Sequence, residues 1–343
     1  MEKKLRFAVL GTGFWANYQI PGWKELDAVE LVAVYNRTRS KAEAIARRFD
    51  VPNIYDNVPE LLEKENLDFV DIITDVDTHA TFTQMAAGHG IPVICQKPMA
   101  PKLPVAEQMV RQCKESGVPL YIHENWRWQT PIRKLKEVID SGEIGKIFKS
   151  RVTFCSAFPV FENQPFLAEL DEFILTDIGS HILDVCRFLF GEVSSLICHT
   201  ASVNSKIKGE DVANVFMKMQ NGISCLAELS YASILEYEPF PQTFILVEGQ
   251  TGSVHLTKNC EIHITTKSGT RIVNAAPPSY SWADPKYNLV HASIVDCNRD
   301  LLNGLTGKSI AETSGSDNLQ TVRLVHAAYQ SSRTNSLIDL KYF

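Results

Sequence analysis

The sequence has no long uncharged apolar run, so no segment reads as a membrane-spanning helix. The apolar stretch from Phe7 to Leu10, behind the charged opening residues, is too short for a signal-peptide core and no small-residue cleavage site follows it. A cytoplasmic protein without a membrane partner is the expectation. CxxC pairs are missing too. The eight cysteines (Cys95, Cys113, Cys155, Cys186, Cys198, Cys225, Cys260, Cys297) lie scattered in apolar segments away from histidines, which argues against a disulfide framework and against a metal site. They read as buried thiols of a reducing compartment. Positive charge is not in surplus: the net charge is −6, and the basic run Arg37, Arg39, Lys41 is too short for a nucleic-acid footprint. Repeats and low-complexity stretches are absent as well. What remains is an ordinary globular composition, 45% hydrophobic and 22% charged over 343 residues, more than one core usually holds. Two domains and a small-molecule partner are expected.

The first third alternates apolar strands with helices. Strands are predicted at Leu5 to Leu10, Leu31 to Tyr35, Phe69 to Thr74, Pro92 to Cys95 and Pro119 to His123. Ser40 to Glu43 has the spacing of a capping box for a helix ending at Phe49, and Gly90 and Gly117 stand where left-handed caps would close helices Ala80 to His89 and Val105 to Ser116. Alternating strands and helices imply a doubly wound parallel sheet over residues 1–123. From 124 to 343 the pattern changes. A helix (Pro131 to Ser141), a long strand (Lys146 to Ala157) and a helix (Asp177 to Phe190, closed by Gly191) precede seven β segments between Ser195 and Ala275. Asn221-Gly222 and Ser268-Gly269 mark hairpins, so this α+β domain should carry a large, mostly antiparallel open sheet, followed by helices Asn288 to Asn303 and Asn318 to Ser331.

Four stretches carry chemistry. Gly11-Thr12-Gly13-Phe14-Trp15-Ala16 follows the first strand and opens a helix, the context a dinucleotide fingerprint requires. Gly11 permits the tight turn, Gly13 lets backbone approach a pyrophosphate, and Ala16 allows close helix packing. The second strand ends at Asn36-Arg37 with no acid. Asn36 suits a ribose hydroxyl and Arg37 suits a 2′-phosphate or an adenine face, so NAD and NADP both stay open, with NAD preferred. Two further loops, Thr74-Asp75-Val76-Asp77-Thr78-His79 and Gln96-Lys97-Pro98, lie at the carboxyl ends of strands, where open α/β sheets bind ligands. Lys97 there is either a strand-end lysine reaching water or a functional cation; its position on that edge favours the second. Asp177 and His181 are four apart at a helix start and should share a face, a base beside a carboxylate; a capping Asp and a core His is the competing role. Asn125-Trp126-Arg127-Trp128 offers amide, guanidinium and aromatic groups suited to a polyol, or simply a packed junction.

Taken together, Gly11-Thr-Gly-Phe-Trp-Ala, Lys97-Pro98, Asn125-Trp-Arg-Trp and Asp177-x-Gly179 with His181 and Asp184 resemble the glucose-fructose oxidoreductase, inositol dehydrogenase and rhizopine-catabolism (Gfo/Idh/MocA) family. The resemblance runs from Phe7 to about Tyr329. It implies a nicotinamide-dependent dehydrogenase acting on a carbinol of a small sugar or cyclitol, without a metal, and a homodimer or homotetramer. By this resemblance the catalytic residues are Lys97, Asp177 and His181. The cofactor contacts are Gly11, Thr12, Gly13, Phe14, Trp15, Asn36, Arg37, Thr74, Asp75, His79, Gln96, Lys97 and Asn125. The substrate contacts are Lys97, Asn125, Trp126, Arg127, Asp177 and His181. One departure stands out: glutamate usually precedes the lysine, and here it is Gln96, which removes a negative charge beside Lys97. Gln96→Glu is expected to keep activity with a shifted pH profile. Finer likenesses favour an aldose over a cyclitol; an NAD-dependent glycosidase, a dihydrodiol dehydrogenase and a non-catalytic sugar sensor are the remaining alternatives.

Overall fold

The computed structural model describes residues 3–343. The chain forms two compact units. One runs up to Asn125 and includes Ser279–Val322; the other comprises Trp126–Pro278 and Arg323–Phe343. The change of pattern near Glu124 marks one cut in the chain, whereas these units interleave along it.

In the first unit, β1 (Leu5–Leu10), β2 (Val29–Tyr35), β3 (Asn53–Tyr55), β4 (Phe69–Ile72), β5 (Val93–Gln96) and β6 (Leu120–His123) form one sheet in the order β3-β2-β1-β4-β5-β6. All its pairings are parallel. The connecting helices are α1 (Ala16–Lys24), α2 (Arg39–Phe49), α3 (Val58–Lys64), α4 (His79–Gly88) and α5 (Leu103–Glu115). Residues 7–10 and 69–72 are buried throughout, as strands covered on both faces must be. The order reverses between β1 and β4, so the loops after these strands frame the crevice where such sheets take ligands. The segment 279–322 completes this unit: Asn298 Oδ1 meets His123 Nε2 at 3.0 Å, and the Ile122 N–H donates to the Thr313 carbonyl.

Two expectations of local structure are corrected here. The helix expected to open on a capping box at Ser40 begins at Arg39, with Thr38 as its N-cap and no side-chain cap bond. Asn36 Oδ1 instead accepts the Thr38 N–H, an Asx turn that sets the entry two residues earlier. The short pair β3 and α3 escaped the periodicity, although Asn57 Oδ1 caps Glu60 N at 2.9 Å and an Asn-x-x-Glu spelling was present. Gly90 and Gly117 do adopt positive φ at the ends of α4 and α5.

The second unit holds α6 (Thr130–Asp140), the short α7 (Val160–Asn163), α8 (Ser180–Phe190) and a nine-stranded sheet. Its strands are β7 (Ile147–Cys155), β8 (Val193–Ala201), β9 (Val212–Met219), β10 (Ser224–Ser230), β11 (Phe244–Gly249), β12 (Gly252–Leu256), β13 (Glu261–Thr266), β14 (Gly269–Asn274) and β15 (Ile338–Asp339). The order is β14-β13-β12-β11-β7-β10-β9-β8-β15, antiparallel except for β7 with β10. Met217, Ala227 and Val247 are fully buried while Phe216 is exposed, the period-2 signature of a sheet packed on one face. Helices α9 (Asn288–Leu305) and α10 (Gly315–Thr334) lie between β14 and β15 along the chain. No helix among the described residues is long and apolar enough to cross a membrane.

Candidate active site

The glycine loop carries the first group of candidate residues. Gly11 has φ +109°, and a Cβ built there would lie 2.6 Å from the Ile73 carbonyl oxygen and 2.8 Å from Thr74 N. Only glycine fits where the first loop crosses the one after β4. Gly13, by contrast, is exposed, and a Cβ there would meet nothing within 4 Å, which leaves its backbone open to an approaching group. Thr12 is buried, and its hydroxyl oxygen has no hydrogen-bond partner among the described residues. An open glycine, an orphaned hydroxyl and the start of α1 suit a pyrophosphate, so the loop fits a dinucleotide. Phe14 is exposed and Trp15 half-buried beside it.

At the end of β2, Asn36 is occupied by the Thr38 amide, and the exposed Arg37 pairs with Asp75 at 3.6 Å. The loop after β4 closes on itself through a 2.7 Å bond from Thr78 Oγ1 to Thr74 Oγ1. His79 is buried, with Nδ1 3.1 Å from the Pro98 carbonyl oxygen and Nε2 3.1 Å from that of Thr74. It therefore ties the loop after β4 to the loop after β5. Burial lowers its pKa against the opposing pull of those two carbonyls. Half-buried Lys97 sits at the end of β5; its backbone N–H donates to Gln96 Oε1 at 2.8 Å, and its peptide to Pro98 is cis. Asn125 is buried, and its amide nitrogen donates to Ser293 Oγ at 2.8 Å and to the Val290 carbonyl.

The second unit presents Asp177 and His181. They do not stand one α-turn apart on a regular helix, as the spacing suggested: Asp177 lies in a π-helical turn, Leu175–Gly179, that leads into α8. Such turns widen the backbone and re-aim side chains. Tyr231 Oη donates to Asp177 Oδ2 at 3.2 Å, and burial, reinforced by that carboxylate, pushes the phenol far above its usual range. The His181 ring is buried and stacks on Trp126, centroids 4.5 Å apart and planes 24° apart. The Trp126 indole in turn donates to Thr243 Oγ1 at 3.0 Å. Arg127, expected at a polyol, instead holds the fully buried Asp184 with Nε at 2.7 Å and Nη2 at 2.6 Å. A bidentate buried pair of this kind fixes the start of α8 against the Trp126 turn and costs several kcal/mol to break.

Residues 5–124 match the oxidoreductase family with NAD-binding Rossmann fold, GFO_IDH_MocA, and residues 132–255 match the GFO/IDH/MocA C-terminal domain. The chain belongs to the Gfo/Idh/MocA family. It is 39% identical over 337 residues, 98% of both chains, to the D-apiose dehydrogenase of Rhizobium rhizogenes. It is also 39% identical to the D-apiose dehydrogenase of Paraburkholderia graminis, over 99% of this chain and 90% of that one. An oxidoreductase of Agrobacterium radiobacter, solved in complex with NAD+, L-tartaric acid and magnesium, superposes with a TM-score of 0.97 at 38% identity over 99% of each chain. The chain is thus an NAD-binding oxidoreductase with a Rossmann-type parallel sheet and a mostly antiparallel second sheet.

For a member of this family, the residues that hold the site in shape are distant in sequence. Glu210 is buried and accepts the N–H groups of Phe173 and Leu175 together with the Tyr329 hydroxyl, while Tyr329 Oη accepts the Thr176 N–H at 3.1 Å. Three backbone donors around the π-turn are satisfied in this way, which an α-helix entry would otherwise leave to water. Gln19 and Asp71, beneath Gln96, were also unmarked by any motif. An acid in the middle of an apolar strand was their one signal.

Proposed function

We propose that this oxidoreductase is an NAD-dependent sugar dehydrogenase that oxidises the anomeric carbinol of a small aldose, a pentose or D-apiose, to its lactone. Similarity to two D-apiose dehydrogenases over nearly the whole of each chain carries this reading. In it, Lys97 donates a hydrogen bond to the reacting hydroxyl oxygen and offsets its developing negative charge. His181 takes the hydroxyl proton, with its ring held by the Trp126 stack. Asp177, oriented by Tyr231, binds a substrate hydroxyl or the histidine. NAD, when bound, supplies the acceptor for the hydride that leaves the same carbon. The Arg37–Asp75 pair supports NAD over NADP, because a 2′-phosphate at Arg37 would meet the Asp75 carboxylate.

The partner we propose for the open sheet face is a second copy of the chain. Paired registers align Ile197, Phe216, Leu226, Arg151, Leu246, His255, His263 and Ile272 in one row across eight strands. Ile197, Phe216 and Ile272 are 43%, 49% and 59% exposed, and Ile197 and Phe216 pair directly, so apolar side chains stand uncovered on this face. Light scattering on the wild type and Phe216→Arg tests this; a monomeric wild type overturns it.

The activity is tested by following nicotinamide absorbance with NAD and NADP against aldoses, branched pentoses and inositols. Turnover of one aldose with NAD, reduced about 10³-fold or more by Lys97→Ala and by His181→Ala, is the expected result. Turnover confined to inositols moves the substrate class to cyclitols. Cofactor binding without turnover overturns the dehydrogenase reading.

A further inference from the structure

Beneath the Lys97 loop lies a continuous chain of hydrogen bonds that the mechanism above does not use. Asp71, in the middle of β4, is fully buried and has both carboxylate oxygens 2.8 Å from Gln19 Nε2. The Trp23 indole donates to the same carboxylate at 2.7 Å. Gln19 Oε1 accepts from Gln96 Nε2 at 2.8 Å, and Gln96 Oε1 accepts from the Lys97 backbone N–H at 2.8 Å.

The direction of each bond follows from the one before it. An ionised carboxylate only accepts, so Gln19 must turn its NH2 group toward Asp71. Its carbonyl oxygen then faces Gln96, which must donate, and Gln96 is left with only its carbonyl oxygen to offer to Lys97 N–H. A glutamate at 96 cannot donate, so it would set acceptor against acceptor at Gln19. Turning Gln19 over would move that clash to Asp71. Position 96 is therefore a glutamine because position 71 is an aspartate.

We propose that Asp71, Gln19 and Gln96 form one polarised relay that positions Lys97, with the relay's negative charge kept at its buried end instead of beside the lysine. Asp71 and Gln19 are positioning residues; neither touches the reacting atoms. The polarity is reversible in principle. In the double variant Asp71→Asn/Gln96→Glu, the introduced amide donates to a turned Gln19 and its carbonyl oxygen still accepts from Trp23. Gln19 then donates to the introduced carboxylate at position 96, which still accepts the Lys97 N–H. Every group is satisfied again, with the charge moved from one end to the other.

The assignment of Lys97 to the reacting oxygen rests on the dehydrogenase reading, whereas the relay itself does not, so two readouts are needed. In chemical unfolding, the two single substitutions and the double form a cycle. The double is expected to be about tenfold more favourable in its folding equilibrium constant than the singles predict, and Gln19→Met should abolish that coupling. In turnover, Gln96→Glu is expected to lower kcat about tenfold with KM changed less than about threefold, and adding Asp71→Asn should recover most of the loss. Additive unfolding effects overturn the relay. Coupled unfolding with kcat unmoved in every variant overturns its role in placing Lys97. A wild type without turnover on any sugar overturns the dehydrogenase reading and the role of Lys97, and the unfolding cycle still decides the relay.

Discussion

The two units hold their candidate functional groups by different means. In the first, the candidate residues lie in short loops at strand ends, and backbone geometry fixes them: Gly11 against Ile73, His79 between the Thr74 and Pro98 carbonyls. In the second, Asp177 and His181 stand on a π-turn and the helix behind it. That turn is shaped by side chains from far along the chain: Glu210, Tyr231 and Tyr329. Backbone crossings tolerate no substitution, whereas a side-chain scaffold fails by degrees. The comparison therefore predicts sharp failures in the first unit and graded ones in the second.

Gly11→Ala should have the largest effect. Its Cβ would meet a backbone carbonyl at 2.6 Å in a residue held at φ +109°, so a loss of about 3 kcal/mol or more in stability is expected in chemical unfolding. Gly13→Ala sharpens the contrast, because its Cβ meets nothing. It should leave stability within about 0.5 kcal/mol of wild type and weaken NAD binding about tenfold or more by fluorescence titration. Equal loss of stability in both variants would mean that the two glycines serve the turn alone.

In the second unit, Glu210→Leu removes the acceptor of two backbone donors and a tyrosine hydroxyl. About 2–3 kcal/mol should be lost, with kcat falling as the π-turn relaxes. Tyr231→Phe removes one hydroxyl from Asp177 and should cost about 1 kcal/mol, seen as a fivefold to tenfold loss of kcat. A larger effect from Tyr231→Phe than from Glu210→Leu would show that the turn holds its own shape.

The same contrast explains what the residues revealed unaided. The strand-loop-helix grammar of the first unit is local, so the glycine loop, the strand-end loops and the parallel sheet were legible from spacing, and the hairpin glycines announced the antiparallel sheet. Asp177 and His181 were legible as candidates but not as geometry, because a π-turn leaves no mark in a four-residue spacing. Arg127 read as a polyol ligand because its partner, Asp184, is 57 positions away. Gln96 stood out as a departure, yet the groups it is bonded to, Gln19 directly and Asp71 through Gln19, are distant in sequence: Gln19 lies 77 positions from Gln96 and 52 from Asp71.

Acid titration gives the smallest effect, because the buried groups of the first unit oppose one another in sign. Burial lowers the pKa of His79, and lowers His291 to about 4. Their contribution to stability is present above the unfolded value near 6.5 and is lost as pH falls below it. Burial raises Asp71 to about 6 from 3.8, so relative to its charged form it favours the fold fully below about 4, an advantage lost as pH rises through 6. That shift corresponds to about 3 kcal/mol, opposite in sign to the histidines. Between pH 7 and pH 5 only about 1 kcal/mol of the Asp71 gain is realised, so it offsets part of the loss at the histidines and the wild-type melting temperature should fall gently over that range. Asp71→Asn removes one side of the balance and should make stability fall steeply over that range in thermal unfolding. An unaltered slope would mean that Asp71 titrates near its ordinary value, with the Trp23 and Gln19 bonds outweighing its burial.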